Sequence, residues 1–85
     1  MTDQPGSLAP FIELDPERPG LDEARLAGYY IPVWAIIGYL EGVGWDVRRA
    51  AQAYGVPVEA VEGAITFYRQ HAEVIDARID ANTAA

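Results

Sequence analysis

The chain has 85 residues, a net charge of −7, thirteen acidic residues against six basic ones, no cysteine and one histidine. At this length one domain is available, burying only about 60% of its unfolded surface, and such domains often gain stability by oligomerising. Disulfides and thiolate metal sites are excluded, one histidine builds no metal site alone, and the acidic balance favours a basic partner protein over nonspecific nucleic acid.

Residues 1–10 contain Pro5, Gly6, Ser7 and Pro10 and read as a disordered lead. They lack the basic region and apolar core of a secretory leader. No apolar run approaches the ~18 residues of a membrane span. With cysteine absent as well, the expectation is a cytoplasmic protein without membrane attachment.

Residues 11–14 (FIEL) form a short strand candidate ended by Asp15-Pro16, and Pro16, Pro19 and Gly20 make a turn-rich bend. Residues 26–31 (LAGYYI) are aromatic and β-branched enough for a second strand, with Gly28 marking a bulge. On such a strand Tyr29 and Tyr30 alternate faces, one toward the core and one exposed. Two short strands are marginal alone, so they are expected to pair with those of another copy.

Pro32 is suited to the first helical position, where its missing N–H costs nothing. Val33, Ile36, Ile37 and Leu40 follow at helical spacing, and Gly42 and Gly44 end that helix. Asp46 is the expected N-cap of a second helix, with Val47, Ala50, Ala51 and Tyr54 inward, and Gly55 supplies the left-handed position after it. Pro57 opens a third helix, whose expected buried stripe is Val58, Val61, Ile65 and Tyr68. This helix either runs on or bends near His71-Ala72 into a fourth segment carrying Val74, Ile75 and Ile79. Residues 83–85 are expected to fray.

Residues 47–67, VRRAAQAYGVPVEAVEGAITF, carry the grammar of a helix-turn-helix. Ala51 is small where a second helix crosses, Gly55 takes a positive φ, Val56 tucks under the turn and Val61 fills the gap. A helical hairpin in a small bundle uses the same grammar and stays open as an alternative. In a DNA-binding version, the start of the second helix enters the major groove. The outward positions there are Pro57, Glu59, Glu62, Gly63 and Thr66. Two carboxylates oppose phosphates, although Glu can accept from cytosine N4. Arg48 and Arg49 are the cations placed for backbone contacts. Any DNA contact is therefore expected from Arg48, Arg49, Glu59, Glu62 and Thr66.

The segments Gly28-Tyr29-Tyr30-Ile31-Pro32-Val33-Trp34 and Phe67-Tyr68-Arg69-Gln70-His71-Ala72-Glu73-Val74-Ile75-Asp76, taken with the unit between them, give the chain a resemblance. It resembles family four-three-three of the domains of unknown function, small VapB-like antitoxins, over residues 11–82. The resemblance implies a protein encoded beside a toxin of PIN-type nuclease fold, neutralising that toxin and repressing its own operon as a dimer. It also implies an N-terminal β element used in dimer formation. Two positions depart from the pattern. Tyr29-Tyr30 stand where Thr-Arg is usual, which removes a cation, and Ala72 stands where Pro often follows the histidine, which removes a helix break.

Several side chains carry both a structural and a functional reading. Trp34 and Trp45 suit the core with the indole N–H near the surface, or a dimer or partner anchor. Phe11, Ile12, Tyr29, Tyr30 and Trp34 are the candidates for a dimer or partner interface. His71 suits a local hydrogen bond or cap. Glu73, Asp76 and Asp80 share one helical face, either solvated or meeting a basic partner. The expected fold is mainly α, a homeodomain-like helix-turn-helix of three to four helices with a short N-terminal β element. The expected function is that of a type II antitoxin-like homodimer that binds and neutralises a PIN-fold toxin, with operator DNA binding left open. The alternative is a dimeric helix-turn-helix interaction module without DNA binding. No catalytic residue, metal, cofactor or small-molecule substrate is expected.

Overall fold

A computed structural model describes residues 10–84. Of the lead expected at 1–10, residues 1–9 lie outside the described residues, as does Ala85 of the expected frayed tail. The order of elements is β1 (Ile12–Glu13), a 3-10 turn (Leu21–Glu23), β2 (Arg25–Leu26), α1 (Val33–Gly42), α2 (Val47–Tyr54), α3 (Val58–Gln70) and α4 (Ala72–Ala84). The chain is thus a mainly helical domain of four helices with a short N-terminal antiparallel β-hairpin. The helix α4 extends through Thr83 and Ala84, two of the positions expected to fray.

The two strands pair with each other inside one chain, Ile12 opposite Leu26 and Glu13 opposite Arg25, where the sequence suggested pairing between copies. Ile12 and Leu26 both enter the core, so the hairpin is stabilised by the helices it covers. The second strand is shorter than expected. At Gly28 the backbone turns left-handed with φ 83°. The Leu26 carbonyl then accepts from the N–H groups of Tyr29 and Tyr30, and Leu26 N–H donates to the Ile31 carbonyl at 2.8 Å. The chain doubles back, so Tyr29 and Tyr30 do not alternate faces; they are 42% and 66% exposed.

Local chemistry sets the helix ends. Pro32 and Pro57 stand as N-caps with extended backbone, one residue before the helices they were expected to begin. Asp46 caps α2 by accepting from Arg49 N–H at 3.1 Å. Gly55 ends α2 at φ 68°, ψ 37°, its N–H donating to the Ala51 and Gln52 carbonyls. His71, at φ −137°, breaks α3 from α4. Its ring packs 4.6 Å from that of Phe67, and its N–H donates to the Phe67 and Tyr68 carbonyls.

The core is built from Val33, Ile36, Ile37 and Leu40 of α1, Ala50 and Ala51 of α2, and Ala60, Val61, Ala64 and Phe67 of α3, closed by Ile75 of α4. The stripe on α3 differs from the expected one. Val61 is buried, but Val58, Ile65 and Tyr68 are only partly so, and the centre is taken by Ala60, Ala64 and Phe67. Small residues let neighbouring helices approach α3 closely, and the Phe67 ring fills the space beyond them. On α4, Ile75 is buried and Ile79 half-buried, whereas Val74 points outward at 36% exposure.

A polar clamp ties α4 to the rest. Arg78 Nε donates to Glu23 Oε2 at 3.1 Å, and its guanidinium lies 4.4 Å from the centre of the Trp34 ring. Trp34 Nε1 is buried without a hydrogen-bond partner among the described residues. Between α1 and α2, Tyr54 donates to the Ala35 carbonyl at 3.2 Å and meets Tyr39 edge to face.

Phe67→Ala is expected to cost about 3–5 kcal/mol in urea unfolding, because no neighbour can fill the cavity. A loss below about 1 kcal/mol would place this ring outside the core.

Candidate functional site

The α2–α3 pair presents two distinct faces. On one, Arg48 lines a shallow groove with Tyr29, Gln52 and the turn residues Gly55, Val56 and Pro57. On the other, Glu59, Glu62 and Thr66 line a groove with Pro10 and Phe11. The five residues expected at DNA therefore do not line one groove. Arg49 is exposed but lines neither groove. The Thr66 hydroxyl already donates to the Glu62 carbonyl at 3.1 Å.

Gly63 was expected to face outward and does not; it is buried under the Pro10 carbonyl. A Cβ at this position would collide with that carbonyl and touch the Phe11 side chain. The start of the described chain thus lies across the shoulder of α3. What remains open on this helix is a narrow stripe through Glu59, Glu62, Thr66 and Arg69, acidic at its N-terminal end.

Of the five expected interface residues, Ile12 is buried in the core and Trp34 lies half-buried under Arg78. Phe11, Tyr29 and Tyr30 are exposed at the end of the hairpin. Beneath Tyr30 sits Arg25, 4.7 Å from the ring centre, held by Glu13 Oε2 at 2.7 Å and Asp15 Oδ2 at 3.6 Å. The hydrogen bond to Glu13 and the surrounding carboxylates raise the Arg25 pKa above its ordinary value, against some desolvation.

Three of the exposed aromatics share a backbone feature that Tyr29 lacks. Among the described residues, the non-glycine residues with positive φ are Phe11 (71°), Tyr30 (61°) and Trp45 (64°). Each is an exposed ring, at 44%, 66% and 41%. A bulky side chain in the left-handed region costs about 1–2 kcal/mol. Such positions cluster at binding sites, where the surrounding structure holds them in place. Sequence reasoning named each of these rings as an interface or anchor candidate but missed the left-handed backbone they share, although Gly28 and Gly44 lie close to two of them.

Trp45 follows the left-handed Gly44, and its N–H closes α1 by donating to the Leu40 carbonyl at 2.8 Å. Its ring centre lies 6.0 Å from that of Tyr68. The Tyr68 hydroxyl donates to Asp76 Oδ1 at 2.8 Å, latching α3 to α4 across the His71 break. Asp76 thus has a partner within the chain, whereas Glu73 and Asp80 of the same face are exposed without one among the described residues. No group of three or more His, Cys, Asp or Glu side chains among the described residues is arranged to hold a metal ion. No described helix is long and apolar enough to cross a membrane.

The Asp76 bond, with desolvation and the charges of Asp76 and Glu41, pushes the Tyr68 pKa up to about 12. An ordinary tyrosine ionises near ~10. The stabilising bond is therefore intact below about pH 10 and is lost as pH rises through about 12. Asp76→Asn is expected to bring the Tyr68 titration back toward its ordinary range, as read by tyrosinate absorbance against Tyr68→Phe. A midpoint that does not move with Asp76→Asn refutes the latch.

Comparison with known proteins returned no matching family model, no matching curated protein and no matching solved structure.

Proposed function

We propose that this domain works by binding protein, as a type II antitoxin-like factor that covers and neutralises a toxin of PIN-type nuclease fold. The resemblance across residues 11–82 supplies the class of partner, and the surface supplies the means. The observation that carries the reading is the set of exposed aromatic rings at the hairpin end, two of them, Phe11 and Tyr30, on left-handed backbone. Aromatic rings with few rotatable bonds are the usual anchors of protein interfaces. A net charge of −7 complements an arginine- or lysine-lined nuclease site. Neutralisation in this reading is steric and electrostatic: the antitoxin occupies the path of the RNA substrate and supplies no reacting group.

The α2–α3 pair is read as a homeodomain-like helix-turn-helix that serves chiefly as a scaffold. Glu59 and Glu62 face outward at the start of α3, and Pro10 sits on Gly63. Both features oppose entry of this helix into a major groove. They favour the second reading, an interaction module without DNA binding. Operator contact, if made, falls to Arg48 and Arg49 on α2.

Co-expression with the product of the adjacent gene tests the toxin reading. Growth is expected to be restored by the wild type, and Tyr30→Ala is expected to weaken toxin binding by about tenfold or more. A toxin that stays lethal beside the folded wild-type protein overturns the reading. A mobility shift on the upstream DNA at about 50 mM salt, where phosphate contacts are strongest, separates the two versions. A specific shift abolished by Arg48→Ala together with Arg49→Ala restores the repressor role.

A further inference from the structure

The open stripe of α3 is complementary to itself. Glu62, Ile65, Thr66 and Arg69 line one surface groove with Val47 of α2. Glu62 and Arg69 stand seven residues apart, about 10 Å along the helix axis, with Ile65 and Thr66 midway between them. Neither charge has an ion-pair partner among the described residues.

Consider two such helices laid antiparallel about a two-fold axis that passes between residues 65 and 66. Each Glu62 then meets Arg69 of the other copy, and the same pair forms twice, as an isologous interface requires. In this register Glu59 lies beyond Gln70 of the other copy, where that α3 ends at the His71 break. The spacing of 62, 65 or 66, and 69 is also that of a helix–helix seam.

Apolar surface borders the stripe on one side. Val47 and Ile65 are only partly buried by their own chain, and with Trp45, Tyr68 and Arg69 they line an adjoining groove. Trp45 stands 41% exposed there on left-handed backbone. Desolvated aromatics beside a paired guanidinium are the usual centre of a stable contact. The charge at long range is repulsive, −7 on each copy, so association depends on this local match.

We infer that a second copy of this chain docks on this face, α3 antiparallel to α3, with two Glu62–Arg69 pairs across a two-fold axis. This goes beyond the toxin reading and stands without it: Tyr29 and Tyr30 do not line the stripe, and of the hairpin-end rings Phe11 alone borders it, at Glu62 and Thr66, away from Arg69. It also moves the dimer contact away from the strands, which are already paired within the chain.

Sedimentation equilibrium on the full chain over a concentration series tests the inference. The wild type is expected to approach twice the 9.3 kDa chain mass. Arg69→Glu and Glu62→Arg each set like charges across the axis, and each is expected to weaken association at least tenfold. The double variant, E62R with R69E, rebuilds both pairs in reverse and is expected to restore it. Far-ultraviolet circular dichroism establishes that each variant is folded, and exposed positions such as these are open to exchange. A wild type that stays monomeric across the series overturns the inference, as does a double variant no stronger than the singles. Mass gained only on adding a polyarginine peptide or duplex DNA means a different occupant and overturns it too. Loss of the dimer with toxin neutralisation intact, or the reverse, separates the two proposals.

Discussion

Everything in this fold is arranged around one close approach, the seating of α3 against the small side chains of its neighbours. Ala50 and Ala51 on α2 and Ala60 and Ala64 on α3 are buried, as is Val61. Gly55 reverses the chain between the two helices at φ 68° without a Cβ penalty. A larger residue at any of these alanines pushes the helices apart and opens space around Phe67, Leu40 and Ile36. The hairpin rests on that platform through Ile12 and Leu26, and α4 through Ile75. A domain of this size has few such contacts to spare.

The distribution of charge follows from the same frame. Arginines away from the α2–α3 pair are partly spent on holding the fold: Arg25 braces the hairpin through Glu13 and Asp15, and Arg78 clamps α4 through Glu23. Arg48, Arg49 and Arg69, on α2 and α3, have no ion pair among the described residues. The acidic balance of the chain therefore does not describe each surface equally. The groove beside Tyr29 is edged by a free cation, while the start of α3 is edged by carboxylates.

What was legible in the sequence was mostly what is decided within a few residues. The Asp46 cap, the Gly55 reversal and the apolar face of α1 each depend on local hydrogen bonding or on helical period, and the structure has them where the residues implied. At His71 the sequence left a continuous helix and a bend both open, and the structure has the break although Ala72 stands where Pro is usual. The buried face of α3 was less legible, because a search for bulky apolar residues passes over Ala60, Ala64 and Gly63, whose small size is their contribution. The doubling back at Gly28 reversed the expected geometry of Tyr29 and Tyr30, since a strand and a tight turn share the same aromatic composition. The seat of Pro10 on Gly63 depends on segments far apart in the chain, and no local pattern encodes it. Of the candidate site, the residue types were visible but their grouping was not: Arg48 lines one groove, and Glu59, Glu62 and Thr66 another.

The two indoles occupy opposite worlds. Trp34 is roofed by a guanidinium and its N–H has no hydrogen-bond partner among the described residues, whereas Trp45 stands out beside Tyr68. Intrinsic fluorescence therefore carries two separable signals in one small chain. Emission from Trp34 reports whether the C-terminal helix is seated, and emission from Trp45 reports what touches the surface beside Tyr68. Detachment of one part and occupation of another can be followed in the same cuvette, without an added label.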